Sequence, residues 1–98
     1  MNIQITALHD LELTPSITEH VNEKFKRLEK HFAQITSTHV TLSVDKKFQQ
    51  TAKAKMLLAG SGEIIASCTS ENLYASIDML IDKLDEQVKK HKAKLKDA

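Results

Sequence analysis

The 98 residues make one domain, 1–98, and a content of 41% hydrophobic and 28% charged residues excludes wholesale disorder. No apolar run approaches the roughly 18 residues of a membrane-spanning helix. The net charge of +1 hides four blocks: 1–23 carry four acidic groups and no Lys or Arg, 24–62 eight basic against two acidic, 63–86 one basic against six acidic, and 87–98 five basic against one acidic. A polyanion responds to local fields rather than to the total, so the near-neutral sum does not exclude a nucleic-acid partner.

Residues 2–7 alternate with period two, which predicts a strand with Ile3, Ile5 and Ala7 inward. The same N-terminus lacks the basic and apolar regions of a secretory signal, and the lone Cys68 has no partner for a disulfide, so a cytoplasmic location is expected. Either Thr14 followed by Pro15, or Ser16 with Glu19 as a capping box, starts a helix. Along it Ile17, Val21, Phe25, Leu28 and Phe32 form one apolar stripe that ends near Ala33. A second strand is expected from His39 to Asp45, with Val40, Leu42 and Val44 on one face and 46–50 as the connection. Ala52, Ala54, Met56 and Leu58 mark a third strand, Gly60-Ser61-Gly62 a turn, and Glu63 to Thr69 a fourth strand with either Ile64, Ala66 and Cys68 or Ile65, Ser67 and Thr69 inward, the first set favoured as the apolar one. Ser70 is the expected cap of a long last helix buried through Leu73, Ile77, Leu80, Ile81, Leu84, Val88 and Leu95. The order β-α-β-β-β-α predicts an α+β fold in which both helices cover one face of a mixed sheet. The other face, with Thr41, Ser43, Lys53, Lys55, Ser67 and Thr69, meets solvent.

At 100° per residue, His20, Lys24, Arg27 and His31 form one row beside the first helix's apolar stripe. On the last helix Lys83, Lys90 and Lys94 form a row on one flank, and Lys89, Lys92 and Lys96 a row on the other. With the helices side by side, the first-helix row and one last-helix row line a shared groove suited to phosphates. On spacing alone, lysine stems covering apolar helix edges explain these rows as well as nucleic-acid binding does. Asp78, Asp82 and Asp85 form an acidic row that reads as a solvated face, or as a repulsive one that keeps RNA away. Lacking Trp and with Tyr74 as its one tyrosine, the chain has no aromatic platform for stacking bases, which leaves recognition of backbone and shape.

No enzyme signature emerges. His9, His20, His31, His39 and His91 never pair at the i, i+4 spacing of helical metal ligands, and Cys68 reads as a buried small side chain, so no metal, cofactor or catalytic residue is expected. Gly60-Ser61-Gly62 lacks the Lys-Ser/Thr continuation of a phosphate loop.

The element order, the run Glu71-Asn72-Leu73-Tyr74-Ala75-Ser76-Ile77-Asp78, then Leu80-Ile81-Asp82-Lys83-Leu84 and Lys90-His91-Lys92-Ala93-Lys94-Leu95-Lys96 resemble the ribosome hibernation promoting factors, within the ribosome-associated inhibitor and sigma-54 modulation protein family. The resemblance covers essentially the whole chain. It implies a fold like the double-stranded RNA-binding domain, with two roughly parallel helices on one face of a four-stranded sheet. It further implies a bacterial stationary-phase factor that sits on the small ribosomal subunit where mRNA and tRNA would lie, blocks translation and favours inactive ribosome dimers. The implied rRNA-binding residues are Lys24, Arg27, Lys83, Lys90 and Lys94; His20, Lys30 and His31 are additional candidates, as is Lys89, where the chain departs from the family. The implied partners are the small subunit with its 16S rRNA, the intact ribosome and ribosome modulation factor, with no membrane and no small-molecule substrate. The short lysine-rich end fits the short hibernation factors better than the related inhibitor, which silences single ribosomes without dimerising them. A protein-interaction module using the open sheet face around Leu57 and Ile65 is the rival reading.

Overall fold

The computed structural model describes residues 2–8, 11–32, 35–46, 49–59 and 62–97, and of residues 31, 45, 46 and 91–97 the backbone alone. The elements are β1 (Asn2–Ala7), α1 (Pro15–His31), β2 (Ile35–Lys46), β3 (Gln49–Leu58), β4 (Glu63–Ser70) and α2 (Leu73–Asp97). The strands form one sheet in the order β1-β2-β3-β4, with β1 parallel to β2 and the other pairs antiparallel. A strand that pairs in parallel with its successor needs a crossover between them, and α1 supplies it. The expected α+β architecture is the observed one.

Side chains decide where the helices start. Thr14 Oγ1 accepts the Ile17 N–H at 3.3 Å, and Pro15 takes the first helical position, where its missing N–H costs no bond. The start is therefore Thr14 rather than Ser16. The helix stops where Phe32 turns extended, while the Phe32 N–H still donates to the Leu28 carbonyl at 2.9 Å. Ala33, the expected end, lies outside the described residues. The second helix is capped by Asn72 instead of Ser70, because Asn72 Oδ1 accepts the Tyr74 N–H at 2.8 Å. Ser70 braces that cap: its Oγ accepts the Asn72 N–H at 3.2 Å and lies 2.8 Å from Ser76 Oγ.

Both middle strands are longer than the alternation suggested. β2 begins at Ile35 rather than His39, and β3 at Gln49 rather than Ala52. The register explains the difference. Ile35 pairs with Leu58 and Ser37 with Leu57, so β2 carries one extra residue there. The bulge switches the inward set from the odd Ile35 to the even Thr38, Val40 and Leu42, which breaks the period-two pattern at the point where it was read as a strand start. Thr36 Oγ1 donates to the Leu57 carbonyl at 3.0 Å, giving that carbonyl a partner beside the irregular ladder. At the other connection, the Leu58 N–H donates to the Gly62 carbonyl at 3.2 Å, and Gly62 has φ +68°, the left-handed conformation that favours glycine. Residues 60 and 61 of the expected turn lie outside the described residues, as do 47 and 48.

One face of the sheet is buried under both helices. Small Ala52, Ala54 and Ala66 on the strands are matched by large Phe25, Leu28, Leu80 and Leu84 on the helices, the complementarity that fills a core densely. The inward sets expected for β4 and for both helices are buried, apart from Leu95, whose side chain is outside the described residues. Ile3 and Ile5 are only partly buried at the β1 edge. The opposite face presents Lys53, Lys55, Ser67 and Thr69 to solvent.

Candidate nucleic-acid interface

α1 and α2 lie side by side, and their contacts advance together. His20 meets Tyr74 and Asp78, Lys24 meets Asp78, and Arg27 lines a small cleft with Asp82 and Asp85. The helices therefore run parallel. The flank that α2 turns toward α1 is the acidic row Asp78, Asp82 and Asp85.

Asp78 and Asp82 are exposed and Asp85 partly so, as expected of a solvated row, and that row lies beside α1. The rows His20, Lys24, Arg27 and Asp78, Asp82, Asp85 share the same steps of 4 and 3 with opposite sign, and on the parallel helices they run beside each other, with His20 and Lys24 both meeting Asp78. The matched spacing in the sequence is the signal that could have placed the two rows side by side. Asp78 Oδ1 lies 2.9 Å from His20 Nε2 and 3.7 Å from Lys24 Nζ, so one carboxylate oxygen serves two bases. The His20 ring also meets Tyr74 edge-on, with centroids 5.1 Å apart and an interplanar angle of 79°. Side-chain exposures of 22% for His20, 27% for Lys24 and 49% for Asp78 make this a surface network, worth about 1 kcal/mol or less per pair.

Farther along the same flank, Lys89 Nζ pairs with Asp85 Oδ2 at 3.1 Å, four residues away on the helix. Lys89 therefore belongs to the row that continues the acidic one, and Lys83 does not. The Lys83 ammonium instead donates to the Ser67 carbonyl of β4 at 3.1 Å, on the far side of α2. Lys90, two turns on, shares the flank of Lys83 and is exposed. The five residues singled out by resemblance thus divide: Lys24 and Arg27 border the interhelical groove, whereas Lys83 reaches β4 and Lys90 shares its flank of α2. The side chains of Lys94 and His31 lie outside the described residues; Lys30 is exposed near the end of α1. Among the described residues, Arg27, Lys30, Lys53 and Lys90 form no ion pair.

The open sheet face is largely polar. Thr6 Oγ1 lies 2.8 Å from His39 Nε2, Thr51 Oγ1 lies 2.9 Å from Thr69 Oγ1, and Lys55 pairs with Glu63 at 3.3 Å. Leu57 and Ile65 are exposed on the same face. Cys68 is buried against the core, and among the described residues no three His, Cys, Asp or Glu side chains converge as metal ligands.

Parallel helices over a four-stranded mixed sheet, with cations along both flanks of the second helix, define a small α+β binding domain. The chain belongs to the sigma 54 modulation protein / S30EA ribosomal protein family, whose model matches residues 3–96. As a member of that family it is not an enzyme. It is 43% identical to the ribosome hibernation promoting factor of Escherichia coli (strain K12) over 96 residues, which cover 98% of each chain. It is 42% identical to the ribosome hibernation promoting factor of Azotobacter vinelandii over 94 residues, 96% of this chain and 85% of that one. Among solved structures, a ribosomal subunit interface protein from Coxiella burnetii superposes with a TM-score of 0.86 at 29% identity, covering 95% of this chain and 99% of that one. The N-terminal domain of Thermus thermophilus Protein Y superposes with a TM-score of 0.82 at 32% identity, covering 93% and 99%.

Proposed function

We propose that this chain is a cytoplasmic ribosome hibernation factor that docks on the small subunit, against 16S rRNA in the channel for mRNA and tRNA. There it blocks translation by occupying volume, and in stationary phase it promotes inactive ribosome dimers together with ribosome modulation factor. The observation that carries this reading is 43% identity, across 98% of both chains, to a protein named ribosome hibernation promoting factor. The physical basis is electrostatic. Lys24 and Arg27 in the groove, with Lys83, Lys90 and Lys94 on the last helix, replace counterions on folded rRNA; His20, Lys30, His31 and Lys89 add secondary contacts. Without a stacking platform, the contacts go to phosphates and shape.

Co-sedimentation with ribosomes and separated subunits tests this. Salt-sensitive migration with the small subunit and intact ribosomes is expected, with log affinity falling against log salt at a slope of about −4 to −5 for roughly six phosphate contacts. Charge reversal at Lys90 and Lys94 together is expected to abolish co-migration. Unchanged migration of that variant, or parent protein left at the top of the gradient, refutes the reading. In the latter case Leu57 and Ile65 on the open sheet face mark where to look for a protein partner instead.

A further inference from the structure

β4 is an outer strand of the sheet, and α2 packs across it. The Leu58 N–H bonds to the Gly62 carbonyl, which fixes the alternation along the β3–β4 ladder. Lys53 and Ser67 face each other an odd number of rungs farther on, so theirs is a non-hydrogen-bonded pair. In such a pair the Cα atoms are about 4.5 Å apart, and the two side chains stand close together on the open face. The Ser67 carbonyl therefore points off the free edge, where the Lys83 ammonium, arriving from α2, meets it at 3.1 Å. One exposed serine is thus flanked by two exposed lysines, one from each layer of the fold. Among the described residues neither lysine forms an ion pair. Lys83 gives one of its ammonium donors to Ser67 and has the rest to offer, as Lys53 has all of its own. Lys55, the next outward residue of β3, differs, because Glu63 holds it at 3.3 Å.

We propose that the RNA-contact surface does not stop at the helices but turns over the β4 edge onto the open sheet face, where Lys53 holds a phosphate next to the one held by Lys83. The inference rests on the reading that the last-helix cations meet rRNA, and it adds a contact from the sheet to those on the helices. The path runs from Lys90 and Lys83 on α2, over the backbone of Ser67, to Lys53, with the hydroxyls of Ser67 and Thr69 beside it. Lysine is a compact point charge, so the contact positions a phosphate and reads no base.

The test is binding of the full chain to purified small ribosomal subunits across a salt series. Lys53→Gln is expected to make the slope of log affinity against log salt shallower by about 0.7–0.9, which is about a 5–8-fold loss of affinity at 0.1 M salt when carried down from 1 M. Lys53→Arg keeps the charge and is expected to keep the parent's slope. Lys55→Gln changes the net charge by the same amount on the same strand and face, and is expected to leave the slope unchanged, since that lysine is already held by Glu63. A Lys53→Gln variant with the parent's slope and affinity overturns the proposal. So does a Lys55→Gln variant that loses as much slope as Lys53→Gln, because the effect would then be one of overall charge. Weaker binding of Lys53→Gln with an unchanged slope also overturns it, and places Lys53 against a protein of the subunit instead of RNA. These outcomes leave the ribosome reading standing; a parent that fails to bind the subunit refutes both.

Discussion

Ser76 is fully buried, yet its hydroxyl is bonded on both sides. Oγ donates to the Gln50 carbonyl of β3 at 2.6 Å and lies 2.8 Å from Ser70 Oγ. Ser70 in turn braces the Asn72 cap, so this hydroxyl ties the first turns of α2 to the end of the sheet. Ser76→Ala removes both bonds and leaves the Gln50 carbonyl short of one partner. At about 0.5–1.5 kcal/mol for each bond the loss is about 1–3 kcal/mol. The better helix propensity of alanine returns about 0.5 kcal/mol, for a net destabilisation of about 0.5–2.5 kcal/mol. In a domain of this size that lowers Tm by roughly 2–20 °C. Urea unfolding followed by circular dichroism is the assay, with Ser67→Ala on the exposed face as the control expected to stay within about 0.5 kcal/mol. A double-mutant cycle with Ser70→Ala is expected to give a coupling of about 0.5 kcal/mol or more. A shift for Ser76→Ala inside the control's range, or simple additivity with Ser70→Ala, refutes the reasoning.

Phe25→Ala empties a fully buried site between the helices and the sheet and is expected to cost about 3–5 kcal/mol, a large share of a typical domain's stability, read as an early urea midpoint. Gly62→Ala meets no atom within 4 Å, so its cost is the left-handed backbone alone, about 1–2 kcal/mol by thermal melting.

The sequence revealed what depends on periodicity within one element, and missed what depends on how elements meet. The apolar stripes of both helices and the inward set of β4 follow from spacing and are buried as expected. The start of β2 was missed because the bulge between Ile35 and Ser37 changes which parity faces inward, and an alternation rule stops at such a step. Ser70 and Asn72 are both good helix caps, and only the Tyr74 N–H distinguishes them. The burial of Ser76 had a signal, since it lies three residues after Leu73 and four before Leu80, on the edge of the apolar stripe. Angles around a helix axis located the charged rows correctly, but they carry no information about which flank a neighbouring helix will cover. For that reason spacing left open which last-helix row lines the groove, and it gave no sign that Lys83 reaches the β4 backbone.

Val88 is the last buried side chain described on α2, yet the helix continues through Lys89 to Asp97, about 13 Å more along its axis. As a free peptide that segment is shorter than the roughly 12–15 residues at which isolated helices become even marginal, because each would need its own nucleus. Joined to the packed part of α2, it propagates from turns already formed. The entropy of ordering this lysine-rich segment is therefore lost when the domain folds, not when it meets a partner. The backbone of this segment thus comes preformed with the domain.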